Sequence, residues 1–150
     1  PYLIKIRDEF YYYGRLNTSL DERAVYFRKS TDLQSWSSPK KIEICNEEAI
    51  MFRHNYYIFT VFENNGLFYA FTPYFQACGT SKREAINGKT LLLSSADGES
   101  WEIQAETLPH VGKYKDRVND TIQYKNTTLV FFRENCTSPC QSLVSYTLTL

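Results

Sequence analysis

Apolar and aromatic residues in this chain fall in short runs, each broken by polar or turn-forming residues. The runs read YLIKI (2–6), FYYYGRL (10–16), AVYFRKS (24–30), KKIEI (40–44), AIMFR (49–53) and YYIFTVF (56–62). LFYAFT (67–72), TLLLSS (90–95), WEIQAE (101–106), TIQYK (121–125), TLVFF (128–132) and SLVSYTLTL (142–150) follow. Aromatic and β-branched residues suit a pleated, half-buried surface, so each run predicts a strand. Turn signals separate them: Asp8-Glu9, Asn64-Asn65-Gly66, Asn87-Gly88, Asp97-Gly98 and Lys125-Asn126. No stretch sustains a helical period. The pattern predicts an all-β chain of many short antiparallel strands.

One seven-residue word occurs twice. Ser30–Trp36 reads STDLQSW and Ser95–Trp101 reads SADGESW, both S-x-D-x-x-S-W, 65 residues apart. A strand precedes each word and another follows it. A second similarity aligns EAIMFRHNYYIF, from Glu48, with DTIQYKNTTLVF, from Asp120, without gaps at an offset of 72. Both read as acid, strand, polar turn, aromatic strand. The opening PYLIKIRDEFYYY has the same shape with its beginning cut off. The unit implied is four antiparallel strands, A to D, with the word on the C–D hairpin and His54 in an A–B turn. Four-stranded units repeating at this length are the signature of β-propeller blades. The expected blades span about 1–47, 48–119 and 120–150. Two blades and most of a third do not close a propeller, so another chain or segment is expected to complete the structure. The terminal strand 142–150 is expected at that interface, because an open edge exposes unpaired backbone groups.

The word itself has a folding role. The carboxylates of Asp32 and Asp97 can accept turn N–H groups, and the hydroxyls of Ser30 and Ser95 can brace the same turns. Trp36 and Trp101 start strand D, where an indole can pack against a neighbouring blade.

Charge narrows the partners. Lys+Arg and Asp+Glu are both 17, giving a net charge of zero. Nothing favours nucleic acid or an anionic surface, and no apolar run is long enough for a membrane span. Two features point to secretion. Four N-x-[S/T] sequons begin at Asn17, Asn119, Asn126 and Asn135. The four cysteines are an even number, and Cys136 and Cys140 bracket a Thr-Ser-Pro turn. A Cys136–Cys140 bridge would leave Cys45 to pair with Cys78, although three connectivities are open, as are four free thiols. No C-x-x-C occurs and both histidines are isolated, so neither a metal site nor a cofactor is expected.

The segment YFRKSTDLQSWSSPKKI resembles the blade hairpins of five-bladed propeller glycosidases of the arabinanase, xylosidase and fructosidase kind. It also resembles the Asp-box hairpins of sialidases, whose spacing usually carries an extra residue and a glycine. EEAIMFRHNYYIF is similar to the innermost strand of such blades, which a carboxylate precedes. The resemblance implies acid positions at Glu48 and Asp120. It also implies that the equivalent residue of the first blade lies just before Pro1. The Gly-Pro commonly found after the blade acid is Ala49-Ile50 here. Glycoside hydrolysis needs two carboxylates flanking the scissile bond. Glu48 and Asp120 would serve if they share one funnel, and would otherwise cap strand entries.

Propeller topology puts the D–A connections (45–47, 106–119) and the B–C connections (15–23, 72–88, 133–141) on one face. All four cysteines and three of the four sequons fall in these segments. Loops carried by a rigid scaffold often carry recognition. Candidate ligand contacts there are Tyr74, Arg83, Lys113 and Arg117. Three classes of function follow: a secreted glycoprotein binding a glycan or other ligand on its loop face, a piece of a glycoside hydrolase, and a non-catalytic protein that completes a partner's β-structure.

Overall fold

The structure is a computed structural model of the 150-residue chain. It describes residues 2–17, 23–45, 53–56, 59–77, 85–109, 117–124, 127–134 and 142–148. All regular elements among these are strands, arranged in three sheets.

The first sheet has the order β1-β2-β3-β4, from β1 (Tyr2–Ile6), β2 (Glu9–Asn17), β3 (Arg23–Ser30) and β4 (Lys40–Lys41). Neighbours are antiparallel throughout. The second sheet is built on β8 (Leu67–Ala77), β9 (Ala85–Ser95) and β10 (Ser100–Pro109). Its first edge is shared by β6 (Arg53–Tyr56) and β7 (Thr60–Asn64), both paired to β8. The third sheet has the order β11-β12-β13, from β11 (Arg117–Tyr124), β12 (Thr127–Glu134) and β13 (Ser142–Leu148). The words at 30–36 and 95–101 join β3 to β4 and β9 to β10, so they occupy equivalent hairpins of neighbouring sheets.

Register corrects three sequence-based expectations. His54 lies in β6 opposite Gln76, not in a turn. The A–B turn of the second sheet is at Asn65-Gly66, both at positive φ (52° and 80°), the conformation for which Asn-Gly is the favoured pair. The second and third sheets therefore match in register at an offset of 60, Leu67 matching Thr127, rather than the 72 of the ungapped sequence alignment. Asn87-Gly88 is not a turn but a break in register inside β9, between the pairs Tyr74–Lys89 and Gln76–Ile86. Glycine inside a strand commonly marks such an irregularity. The second sheet also exceeds four strands, because β5 (Glu43–Ile44) leaves the first sheet and pairs in parallel with β10. Glu43 N–H donates to Glu99 O at 3.1 Å and Cys45 N–H to Trp101 O at 2.9 Å.

Alternation along the strands builds the core. Ile6, Tyr11, Tyr13, Val25, Phe27 and Ile42 of the first sheet meet Phe59, Val61, Phe68, Ala70, Leu91, Leu93 and Trp101 of the second. The opposite face of the second sheet buries Phe62, Phe71 and Leu92. On that side β7 and β8 contact β11. Each sheet is thus stacked on the next through alternate residues, as strand geometry requires.

Candidate functional site

The first strands of the three sheets converge: β1 packs on β7, and β7 on β11. Their residues can be compared through the second strands. Tyr2 pairs with Tyr13, Thr60 with Phe71 and Asp120 with Phe131, each four residues before its strand ends at Ile6, Asn64 or Tyr124. Tyr2, Thr60 and Asp120 are therefore equivalent, and only the third is an acid. The register does not match Glu48 to Asp120, and it puts Tyr2 rather than a residue before Pro1 at the first position. Glu48 itself lies outside the described residues. In β11 the ladder breaks between Val118 and Asp120, leaving Asn119 as the extra residue. A bulge at the start of an innermost strand is a common means of re-aiming the side chain beside it.

Among the candidate ligand contacts, Tyr74 lies within β8, not in a loop, and packs against the core. Arg117 opens β11, in register with Arg133. Arg83 and Lys113 lie outside the described residues. So do Cys78, Cys136, Cys140, Asn126 and Asn135. Cys45 is exposed and is not in a disulfide. Asn17 ends β2 in register with Arg23.

The opposite end of the sheets carries the two words, and their networks are congruent. Asp32 Oδ1 accepts the amides of Gln34 and Ser35, both at 2.8 Å, and the Ser30 hydroxyl at 3.0 Å. Asp97 Oδ1 accepts the amides of Glu99 (2.8 Å) and Ser100 (2.9 Å) and the Ser95 hydroxyl (3.0 Å). Ser30 Oγ accepts the Leu33 amide at 2.9 Å, and Ser95 Oγ the Gly98 amide at 2.8 Å. Each indole N–H donates back into its own turn, Trp36 to Leu33 O (3.3 Å) and Trp101 to Gly98 O (3.1 Å). The amides of Ser35 and Gln34, with the Ser30 hydroxyl, hold the Asp32 carboxyl down at about 2. Burial works to raise the Asp97 carboxyl, but the amides of Ser100 and Glu99 and the Ser95 hydroxyl outweigh it and leave it below the usual range.

The two words differ in their surroundings. Trp101 is completely buried, edge-on to Phe59 and Tyr13. The Tyr13 hydroxyl crosses between sheets to donate to Gly98 O at 2.6 Å. Its burial pushes ionisation far above the usual tyrosine range. Beside it, Lys29 bridges the sheets. Its ammonium pairs with Glu99, lies 3.6 Å from Glu9, and sits 5.0 Å above the Tyr11 ring. The Glu99 partner, then Tyr11, keeps Lys29 protonated well beyond the ordinary range. These groups line a cleft of about 320 Å³ with Ile6, Arg7, Asp8 and Asp97. The sequence pattern did not reveal these cross-sheet bonds, because their partners are some 70 to 85 residues apart.

No protein-family profile matches the sequence, and no curated protein does. Solved structures do. An endo-arabinase from Bacteroides thetaiotaomicron superposes on 99% of this chain with a TM-score of 0.69 and 14% identity. A thermostable family-43 glycoside hydrolase covers 99% at 0.65 and 16% identity. The GH32 β-fructofuranosidase of Bombyx mori covers 99% at 0.62 and 15% identity. The chain has a partial β-propeller fold. It spans 50%, 47% and 33% of those three chains respectively. The neighbours are five-bladed propeller enzymes, so β1, β7 and β11 correspond to the strands nearest a propeller axis. Asp120, near the start of β11, is at the end away from the words. Propellers bind ligands along a central channel lined by such strands.

Proposed function

We propose that this chain is a carbohydrate-recognising part of a glycoside-hydrolase-type propeller, with the sugar bound at the end of the sheets where β11 begins. The observation that carries this reading is the superposition of nearly the whole chain on an arabinase and a fructofuranosidase. Asp120 supports it: a carboxylate beside a bulge on an innermost strand can hydrogen-bond sugar hydroxyls or act as one member of a catalytic pair. Hydrolysis needs a second carboxylate about 5–10 Å away. The equivalent positions, Tyr2 and Thr60, supply none. The reading is therefore recognition by this chain alone, and catalysis only with a carboxylate from Glu48 or from beyond these three sheets. The four sequons support a secreted glycoprotein with a Cys136–Cys140 bridge; the free Cys45 thiol speaks against the expected Cys45–Cys78 pair.

The test uses the whole chain, secreted from eukaryotic cells and titrated against arabino- and fructo-oligosaccharides and a broader glycan panel. Binding that Asp120→Asn weakens at least tenfold is expected. A panel of chromogenic glycosides, with Glu48→Gln as the second variant, measures turnover in parallel. A folded chain that binds no glycan overturns the proposal.

A further inference from the structure

The end of the sheets assigned to the sugar carries more than Asp120. Side chains alternate between faces along a strand, and cross-strand partners share a face. On the first sheet, Ile4 and Ile6 of β1, Tyr11 and Tyr13 of β2, and Val25 and Phe27 of β3 meet the second sheet in the core. Each row continues past the core on the same face. It reaches Tyr2 in β1, Arg15 two residues after Tyr13, and Arg23 two residues before Val25. Arg15 pairs with Val25 and Arg23 with Asn17, so the two arginines are diagonal neighbours. On the second sheet, Phe68, Ala70 and Thr72 lead along β8 to Tyr74. Tyr2, Tyr74 and Arg23 are half-buried, and both tyrosines pack on the core. These rows all run to one end: β1 and β3 begin there, β2 and β8 finish there, and β11 begins there.

We infer that the ligand of this end is an anionic sugar, its carboxylate or sulfate held by Arg15 and Arg23 and its ring set against Tyr2 and Tyr74. The inference rests on the carbohydrate-recognition reading and adds the charge of the ligand to it. Like charges set close together on one sheet face repel each other. An anion between them removes that cost, and a guanidinium fork matches a carboxylate through two parallel hydrogen bonds. Tyrosine offers a sugar an apolar ring together with a hydroxyl, and here the core fixes both rings. The two ends of the junction differ in charge. Asp8, Glu9, Asp97 and Glu99 line the cleft around Lys29 at the opposite end. Of the equivalent positions Tyr2, Thr60 and Asp120, only the third adds a carboxylate at the arginine end.

Isothermal titration of the whole secreted chain compares uronate oligosaccharides, their neutral methyl esters and sulfated galactose oligosaccharides. A charged sugar should bind at least tenfold more tightly than the neutral ester, and the one that does so identifies the anion. The preference should shrink at least threefold between about 50 and 300 mM salt. It should shrink at least fivefold in Arg23→Gln and in Arg15→Gln, with unchanged circular dichroism spectra. Arg23→Lys should recover only part of it, because an ammonium lacks the planar fork. Arg15→Gln, at an exposed position, decides the matter should Arg23→Gln fail to fold. Equal binding of charged and neutral sugars overturns the inference and leaves carbohydrate recognition standing. So does a preference indifferent to both arginine substitutions. A folded chain that binds no glycan removes both readings.

Discussion

Replacing Gly98 with alanine separates backbone strain from steric conflict between the sheets. Gly98 and Gly66 both have φ of +80°, but nothing lies within 4 Å of a Cβ built on Gly66, whereas one on Gly98 meets Ile6 Cδ1 at 2.6 Å and Tyr13 Oη at 2.8 Å. Left-handed backbone costs an alanine about 1–2 kcal/mol. The reduced freedom of the unfolded chain returns about 0.4–1 kcal/mol. Gly66→Ala should therefore destabilise by about 1 kcal/mol. Gly98→Ala carries the same contribution and also overpacks a filled interface, which typically costs a further ~1–3 kcal/mol. The net is about 2–4 kcal/mol, a large part of the ~5–15 kcal/mol that usually separates folded from unfolded domains. Urea unfolding followed by tryptophan fluorescence measures both variants, since Trp101 lies in the interface concerned. Tyr13→Phe removes one of the two colliding atoms, so it should be less costly in the Gly98→Ala background than in the parent chain. Equal costs for Gly66→Ala and Gly98→Ala would refute the reasoning.

Three further outcomes follow from the hairpins and the bridge between sheets. Trp101→Ala empties a fully buried site and should cost about 3–5 kcal/mol, whereas Trp36→Ala, at a half-buried site, should cost about 1 kcal/mol, both read from urea midpoints. The Asp32 carboxyl lies below its ordinary value of 3.8, at about 2, and that of Asp97 is also lowered. Their stabilising contribution is present above about pH 4 and is lost as pH falls towards the folded values, so acid unfolding of Asp32→Asn and Asp97→Asn should depend less steeply on pH between about 4 and 2. Lys29→Met removes the pair with Glu99 and should cost about 1 kcal/mol in dilute buffer, with a smaller difference from the parent in 0.5 M salt. An unchanged salt response would show that Lys29 acts through its aliphatic stem.

What the sequence determined by itself is local. The strands alternate at a period of two, and every hydrogen bond inside S-x-D-x-x-S-W spans two or three residues, so the word dictates its turn wherever it occurs. Two such words flanked by strands were enough to indicate repeated sheets. Positions separated by insertions were not legible. The stretch Arg53–Asn64 is apolar enough to be split into two strands on paper. The tertiary structure pairs both Arg53–Tyr56 and Thr60–Asn64 with β8, because Asn65-Gly66 can adopt the turn and His54-Asn55 is already paired. That decision shifts the repeat from 72 to 60 and replaces Glu48 with Thr60 as the counterpart of Asp120. The contrast between Trp101 and Trp36 was equally hidden, since identical words bury their indoles only where another sheet arrives to cover them. Burial and convergence on an axis are properties of contacts between distant segments. Local propensity carries no record of which segments will meet.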